Sequence, residues 1–419
     1  MHNKIELLSP AGDPDCLDAA IRYGADAVYL AGPMFGMRAG AANFTQDELT
    51  GAVHAAHRSG AKIYVACNTL PRNDEIPALE DFLAFLSGIG ADALIVADMG
   101  VLAMAKRLAP NVPVHISTQA GVTSYAAASA LYDMGASRVV LARELTLDEI
   151  SVIREKNPPE LELEAFVHGA MCMSFSGRCL ISQYLTGRDA NRGDCPQPCR
   201  WRYCLVEENR PGQYCLVEEN RPGQYFSIVE TGGGSYILNA RDLRMIEHIP
   251  RLHRAGITSF KLEGRAKSPY YTAMVTQAYR LALDGYYASG CDENYVTPDW
   301  ITELTEKISH REYSTGFYFG GQPGQETKNG GYIREYEVAA VVDGYHDGCI
   351  SATQRGKFFA GERLELIQPG KPGIIFTADV ILDKDGNHID STPHPLMPFR
   401  IPFDQAVEAG AYLIRKTKT

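Results

Sequence analysis

Four cysteines, Cys172, Cys179, Cys195 and Cys199, fall within twenty-eight residues of a 419-residue chain that has ten cysteines in all. Their spacing, Cys-x6-Cys-x15-Cys-x3-Cys, is wider than the paired knuckles usual for structural zinc. It also lacks the Cys-x3-Cys-x2-Cys run of a radical S-adenosylmethionine site. Soft thiolates on wide loops suit the corners of a [4Fe-4S] cluster, and four of them also suit zinc. Spacing alone does not separate the two. Phe175, Tyr184 and Trp201 would form an apolar shell that limits solvent access to such a centre, or else are ordinary core residues. The opening MHNKIELLSPAG has neither the basic start nor the apolar run of a signal peptide, so a cytoplasmic location is expected. In a reducing compartment, clustered cysteines point to metal ligation or catalysis rather than to disulfides.

The cysteine stretch begins where a predicted strand ends. Eight short, nearly continuous apolar runs alternate with helical patterns: Ile5–Leu8, Ala27–Leu30, Lys62–Cys67, Ala93–Ala97, Val112–Ile116, Arg138–Ala142, Leu161–Val167 and Ser259–Glu263. Such runs mark parallel strands covered on both faces. Asp13-Pro14 and the capping boxes Thr45-x-x-Glu48 and Thr146-x-x-Glu149 start helices between them. Eight strands in this alternation predict a (β/α)8 TIM-like barrel, with an open doubly wound sheet as the alternative. No Gly-x-Gly-x-x-Gly follows the first strand, which disfavours the dinucleotide-binding version of that sheet.

Residues 1–285 are therefore expected to form the barrel, with a cysteine-rich β insertion at about 170–240 between its last two strands. Within the insertion, Tyr203–Val206, Phe226–Val229 and Tyr236–Leu238 read as strands, and Cys204–Tyr214 is repeated identically as Cys215–Tyr225. Two such copies are too few for a solenoid and read as a lengthened surface hairpin. A helical and Gly-rich linker, 286–330, leads to a small all-β barrel over 331–419, whose strands are predicted at Tyr336–Val342, Cys349–Thr353, Arg363–Ile367, Ile374–Ile381, Phe399–Ile401 and Tyr412–Arg415.

In a barrel the C-terminal strand ends converge, which makes Asn68, Asp98, Ser117, Gln119, Arg143, Glu144, His168, Glu263 and Arg265 the catalytic candidates. His168 is placed to hydrogen-bond a cluster sulphur or transfer a proton, or is a capped histidine at a strand end. Glu263 and Arg265 form either an anion-holding pair or a structural salt bridge at the rim. Residues 178–202 carry five Arg against two Asp, a local +3 on a chain of net charge −11. Arg188, Arg192, Arg200, Trp201 and Arg202 could grip phosphates and stack a base, or merely offset thiolate charge.

The string FVHGAMCMSFSGRCLISQYLTGRDANRGDCPQPCRW, with SFKLEGRAKSPYY and the opening LLSPAG, resembles peptidase family U-32, the collagenase-like peptidases, over nearly the whole chain. Within that family it looks most like the tRNA hydroxylation proteins. The resemblance implies a [4Fe-4S] cluster on Cys172, Cys179 and Cys195, with Cys199 as the fourth ligand and Cys204 or Cys215 as rivals for that place. It implies prephenate-dependent 5-hydroxylation of the wobble uridine of tRNA, with tRNA as partner and room for a family paralogue. Related members hydroxylate ribosomal RNA or act in oxygen-independent ubiquinone synthesis, so another RNA or a quinone precursor are alternative substrates. The family name implies a peptidase instead, but neither His-Glu-x-x-His nor Gly-x-Ser-x-Gly occurs. A binding or maturation factor with a structural or redox-sensing cluster is a third reading.

Overall fold

The computed structural model describes residues 4–37, 42–172, 174–179, 181–201, 203–207, 214–218, 223, 225–227, 240–321 and 332–417. The expected strand at Tyr236–Leu238, Arg202 and the side chain of Tyr184 lie outside this description.

The apolar runs form the parallel strands β1 (Glu6–Pro10), β2 (Ala27–Leu30), β3 (Lys62–Cys67), β4 (Ala93–Val96), β5 (Val114–Ile116), β6 (Arg138–Val140) and β7 (Glu162–Ala170). The insertion contributes β8 (Tyr203–Glu207), β9 (Tyr214–Glu218), β10 (Tyr225–Ser227) and a short β11 (Asp242–Arg244), before β12 (Ser259–Leu262). Each barrel strand pairs in parallel with the next, and β12 pairs with both β7 and β1, so the sheet closes as a TIM-like barrel. The open-sheet alternative is excluded by that closure. The helices that cover the barrel begin at the anticipated signals: Asp13 accepts from Cys16 N, and both capping boxes are complete.

Two departures bear on the site. β7 runs past its expected end at Val167 to Ala170, because β11 pairs with it antiparallel, Asp242 opposite Ala170 and Arg244 opposite His168. At Gly169 a Cβ would stand 2.5 Å from the Glu263 carbonyl oxygen, and φ is +105°, so the close approach of β7 to β12 requires glycine. The tandem repeat builds more than a longer hairpin. Its two YCLVE segments become β8 and β9, paired antiparallel with Tyr203 opposite Glu218, and β10 adds a third strand.

After the long helix Pro269–Ala288, β13 (Tyr313–Ser314) returns from the linker to pair with β11. The C-terminal strands are β14 (Tyr336–His346), β15 (Cys349–Gln354), β16 (Arg363–Ile367), β17 (Ile374–Thr377), β18 (Ile381–Leu382), β19 (His388–Ile389), β20 (Pro398–Pro402) and β21 (Tyr412–Lys416). They form one antiparallel sheet in the order β17-β16-β21-β14-β15-β20-β18-β19. Among the described residues β17 and β19 are not paired with each other, so the expected small barrel closes only part-way. Among the same residues no helix is long and apolar enough to cross a membrane.

Candidate active site at the cysteine loop

A cavity of about 90 Å3 opens among the C-terminal strand ends, and Asn68, Arg143, Cys172, Lys261, Glu263 and Arg265 line it. Its floor is polar although it lies inside a barrel. Lys261, on β12, donates to Glu164 at 2.7 Å and lies 4.4 Å from the centroid of the Tyr29 ring. Glu164 in turn accepts from Arg138 at 2.9 Å, and Arg138 continues to Glu6 at 2.6 Å. Each buried charge thus meets its opposite, without which burial would be prohibitive. In the wall, Arg143 donates to Glu263 at 3.2 Å and to the Ala170 carbonyl at 2.9 Å, with its guanidinium 3.7 Å from the Phe166 ring centroid. Arg143 thus pairs with Glu263, beside Arg265. All three residues face the same cavity.

The cysteine loop leaves β7 and is moored to the barrel at several points. Glu144 accepts from both the backbone N and the Oγ of Ser176, each at 2.7 Å, and so holds Ser176 at its positive φ of 43°. Arg178 donates to the Gln119 carbonyl at 2.5 Å, while the Gln119 side chain accepts from Asn68 at 3.0 Å. Asn191 and Cys179 exchange bonds of 3.2 and 3.0 Å. Arg200 donates to the Met171 carbonyl at 3.2 Å. Glu144, anticipated as catalytic, therefore positions the loop, with both carboxylate oxygens engaged.

Cys172 is exposed in the cavity wall, and Cys179, Cys195 and Cys199 are half-buried. Burial pushes the Cys199 thiol up; Arg200 pulls it down, and charge on Cys172, Cys195 and Cys179 pushes it up again, so each of those three stands within electrostatic reach of Cys199. Cys204 is exposed on β8, and Cys215 is buried in β9, where its Sγ donates to the Val206 carbonyl at 3.6 Å. Among the described residues no three His, Cys, Asp or Glu side chains are gathered as the ligands of a single metal ion. As donors, four thiols on wide loops match the ligand set of an iron-sulphur cluster. Of the expected apolar shell, Phe175 is half exposed and packs on Gly121, and Trp201 donates from Nε1 to the Pro196 carbonyl at 3.0 Å.

His168 is not among the cavity residues. With β7 extended, its ring lies in the core between Tyr279, 5.6 Å away, and Tyr313, 5.5 Å away. Burial pulls its pKa down to about 3, and Arg244, His310 and Lys267 act in the same direction. A neutral imidazole away from the cavity is structural, placed in the core rather than as the capped histidine expected at a strand end. Asp98 is likewise structural, capping the helix Met99–Leu108 through Gly100 N and Val101 N.

The arginines of the loop are largely engaged. Arg188 pairs with Asp194, and Arg192 forms a two-pronged bridge to Glu75 at 2.9 and 2.6 Å. Sequence reasoning missed Lys261, whose signal was a lone cation inside the apolar strand SFKLE.

Two family models cover this architecture: peptidase family U32 matches residues 12–329, and its C-terminal domain matches 334–415. The chain belongs to peptidase family U32. Among curated U32-like relatives, tRNA hydroxylation protein P1 of Bacillus subtilis is 38% identical over 410 residues, 96% of this chain and 93% of the relative. The 23S rRNA 5-hydroxycytidine C2501 synthase of Escherichia coli is 37% identical over 331 residues, covering 77% of this chain and 46% of the relative. A collagenase of Porphyromonas gingivalis is 32% identical over 336 residues, covering 78% and 76%. The chain is thus similar both to proteins named for RNA hydroxylation and to one named for proteolysis.

Proposed function

We propose that this U32 protein is a cytoplasmic RNA hydroxylase that acts on tRNA, installing 5-hydroxyuridine at the wobble position with prephenate as cosubstrate. The observation that carries the reading is the cysteine loop: three thiols within electrostatic reach of Cys199, one of them in the cavity wall, in a chain akin over 96% of its length to a tRNA hydroxylation protein. A [4Fe-4S] cluster on Cys172, Cys179, Cys195 and Cys199 would supply one-electron chemistry at the cavity mouth. Cys199 is favoured as fourth ligand because its thiol shares the reach of the other three, while Cys215 is committed to the β8–β9 pairing.

This chain's own residues bind and orient. Arg143 and Arg265 line the cavity beside Glu263, with Lys261 paired to Glu164 at its floor, and guanidinium groups in that position suit the carboxylates of a small anion such as prephenate. Asn68, held by Met37 N at 3.1 Å and by Gln119, presents a fixed amide beside them. A peptidase of the Ser-His or Cys-His kind needs a base next to Cys172, Ser117 or Ser176, and among the described cavity residues there is no histidine.

Mass analysis of tRNA nucleosides from cells with and without the gene tests the function. Loss of 5-hydroxyuridine derivatives is expected; their persistence in a strain with no redundant relative would sink it. Protein purified without oxygen should carry iron and acid-labile sulphide, and Cys172→Ala should lose both. Zinc in their place would refute the cluster.

A further inference from the structure

With Arg188 and Arg192 paired to carboxylates, cations for an RNA backbone must come from elsewhere. They collect around Tyr332. Lys267 Nζ lies 4.3 Å from the ring centroid, and the Arg311 and Arg334 guanidinium carbons lie at 4.7 and 5.8 Å. Arg200 donates to the phenol oxygen at 3.3 Å. These four residues come from the cysteine insertion, the loop after β12, the linker before β13 and the approach to β14, and they are brought together by folding alone.

Among the described residues the four cations have one carboxylate close by, Asp242. Among the described residues Arg200, Lys267 and Arg334 form no ion pair, and Arg311 has Asp242 beside it at 3.7 Å, beyond hydrogen-bond distance. Arg311 is 2% exposed, yet its Nε and Nη1 have no hydrogen-bond partner. A buried guanidinium left with unmatched donors is costly, and its uncompensated charge adds positive potential to the more accessible cations around Tyr332. The phenol reports the same imbalance: burial should raise its pKa, but Lys267, Arg200 and Arg311 pull it below the ordinary value.

The cluster also lies on the rim of the candidate site. Lys267 follows Arg265 of the cavity wall by two residues, and Arg200 is tied to Met171, which precedes Cys172. We propose that Arg200, Lys267 and Arg334, gathered around Tyr332 with the charge of the buried Arg311 beside them, form a phosphate-binding site that holds the backbone of the RNA substrate while a base reaches the cavity. This rests on the reading of the protein as an RNA hydroxylase. The rival role for the same charges is compensation of the thiolates, since Arg200 and Arg311 stand within electrostatic reach of Cys199.

The test is tRNA binding by the full-length protein with its metal loaded, measured across salt concentrations, for wild type, Lys267→Ala and Arg334→Ala, with iron content measured alongside. Each substitution should weaken binding several-fold and lower the slope of log affinity against log salt by about 1. Arg188→Ala, which removes a cation already paired with Asp194, should change the slope much less. Unchanged affinity and slope in both variants would overturn the site. Loss of iron in step with RNA affinity would also overturn it, by assigning the charges to the metal centre. If the wild-type protein binds no tRNA, the hydroxylase reading itself fails, a result distinct from either.

Discussion

His168 shows how one ring can be moved from chemistry to packing by its surroundings. An imidazole in water titrates near pH 6.5. In the folded chain, burial against Tyr279 and Tyr313 takes it down to about 3. Between those values the unfolded chain binds a proton that the folded chain does not. Stability therefore rises with pH across that window, and it is lost as pH falls from about 6.5 towards 3, by up to about 1.4 kcal/mol per pH unit for this group. In His168→Gln the unfolding free energy, measured by urea titration between pH 4 and 6, should depend on pH less steeply by up to that amount. An equal slope in both proteins would mean that the folded imidazole carries its proton. The motif His-Gly-Ala-Met-Cys marked the site's location in sequence, but not which way the ring faces. That depends on β11, a three-residue strand from seventy positions further on whose pairing carries β7 beyond His168.

Among the elements, the parallel strands were plainly legible because burial on both faces leaves a continuous apolar run. β2 and β3 stand where the runs put them, residue for residue. Less legible were charges inside those runs. Arg138, Glu164 and Lys261 each looked like an interruption of an apolar strand, and their meaning appears only when barrel closure stacks them into a ladder from Glu6 to the cavity floor. The described part of the cysteine loop has one short helix, Ile181–Thr186, and three single 3-10 turns of its own, and it is tied to the barrel through side chains. Glu144 is one such mooring, with two short bonds to Ser176. Hydrogen bonds to a charged acceptor are worth about 1.5–3 kcal/mol each. Glu144→Ala should therefore release the loop and lower the iron and sulphide bound per chain, while the far-UV circular dichroism of the barrel stays as it is. Glu144→Gln, which keeps one acceptor, should retain more of both. Full metal content in Glu144→Ala would show that the loop is held without it.

At the scale of the whole molecule, the C-terminal sheet is attached to the outside of the barrel through a shared core. Tyr412 of β21 packs edge-on against Tyr270 at 5.2 Å and tilted against Tyr23 at 6.1 Å, and with Ile367 and Ile414 it belongs to the same buried cluster as the barrel strands. Around this contact Tyr23 donates to the Gly410 carbonyl at 3.1 Å, Arg22 to the Ala409 carbonyl at 2.7 Å, and Lys307 pairs with Glu365 at 2.6 Å while both are nearly buried. No sequence periodicity announces such a contact, since each aromatic sits in an element that reads correctly without it. A core shared in this way couples the two parts, so calorimetry of the wild-type protein should give a single unfolding transition. Removing a buried aromatic ring costs about 3–5 kcal/mol. In Tyr412→Ala that loss falls on the contact and on β21 together, so the transition should split, with the C-terminal sheet melting first and the barrel following near its original temperature. A single transition displaced as a whole would place the ring's contribution inside one unfolding unit, and two transitions already present in the wild type would mean that the sheet and the barrel fold independently.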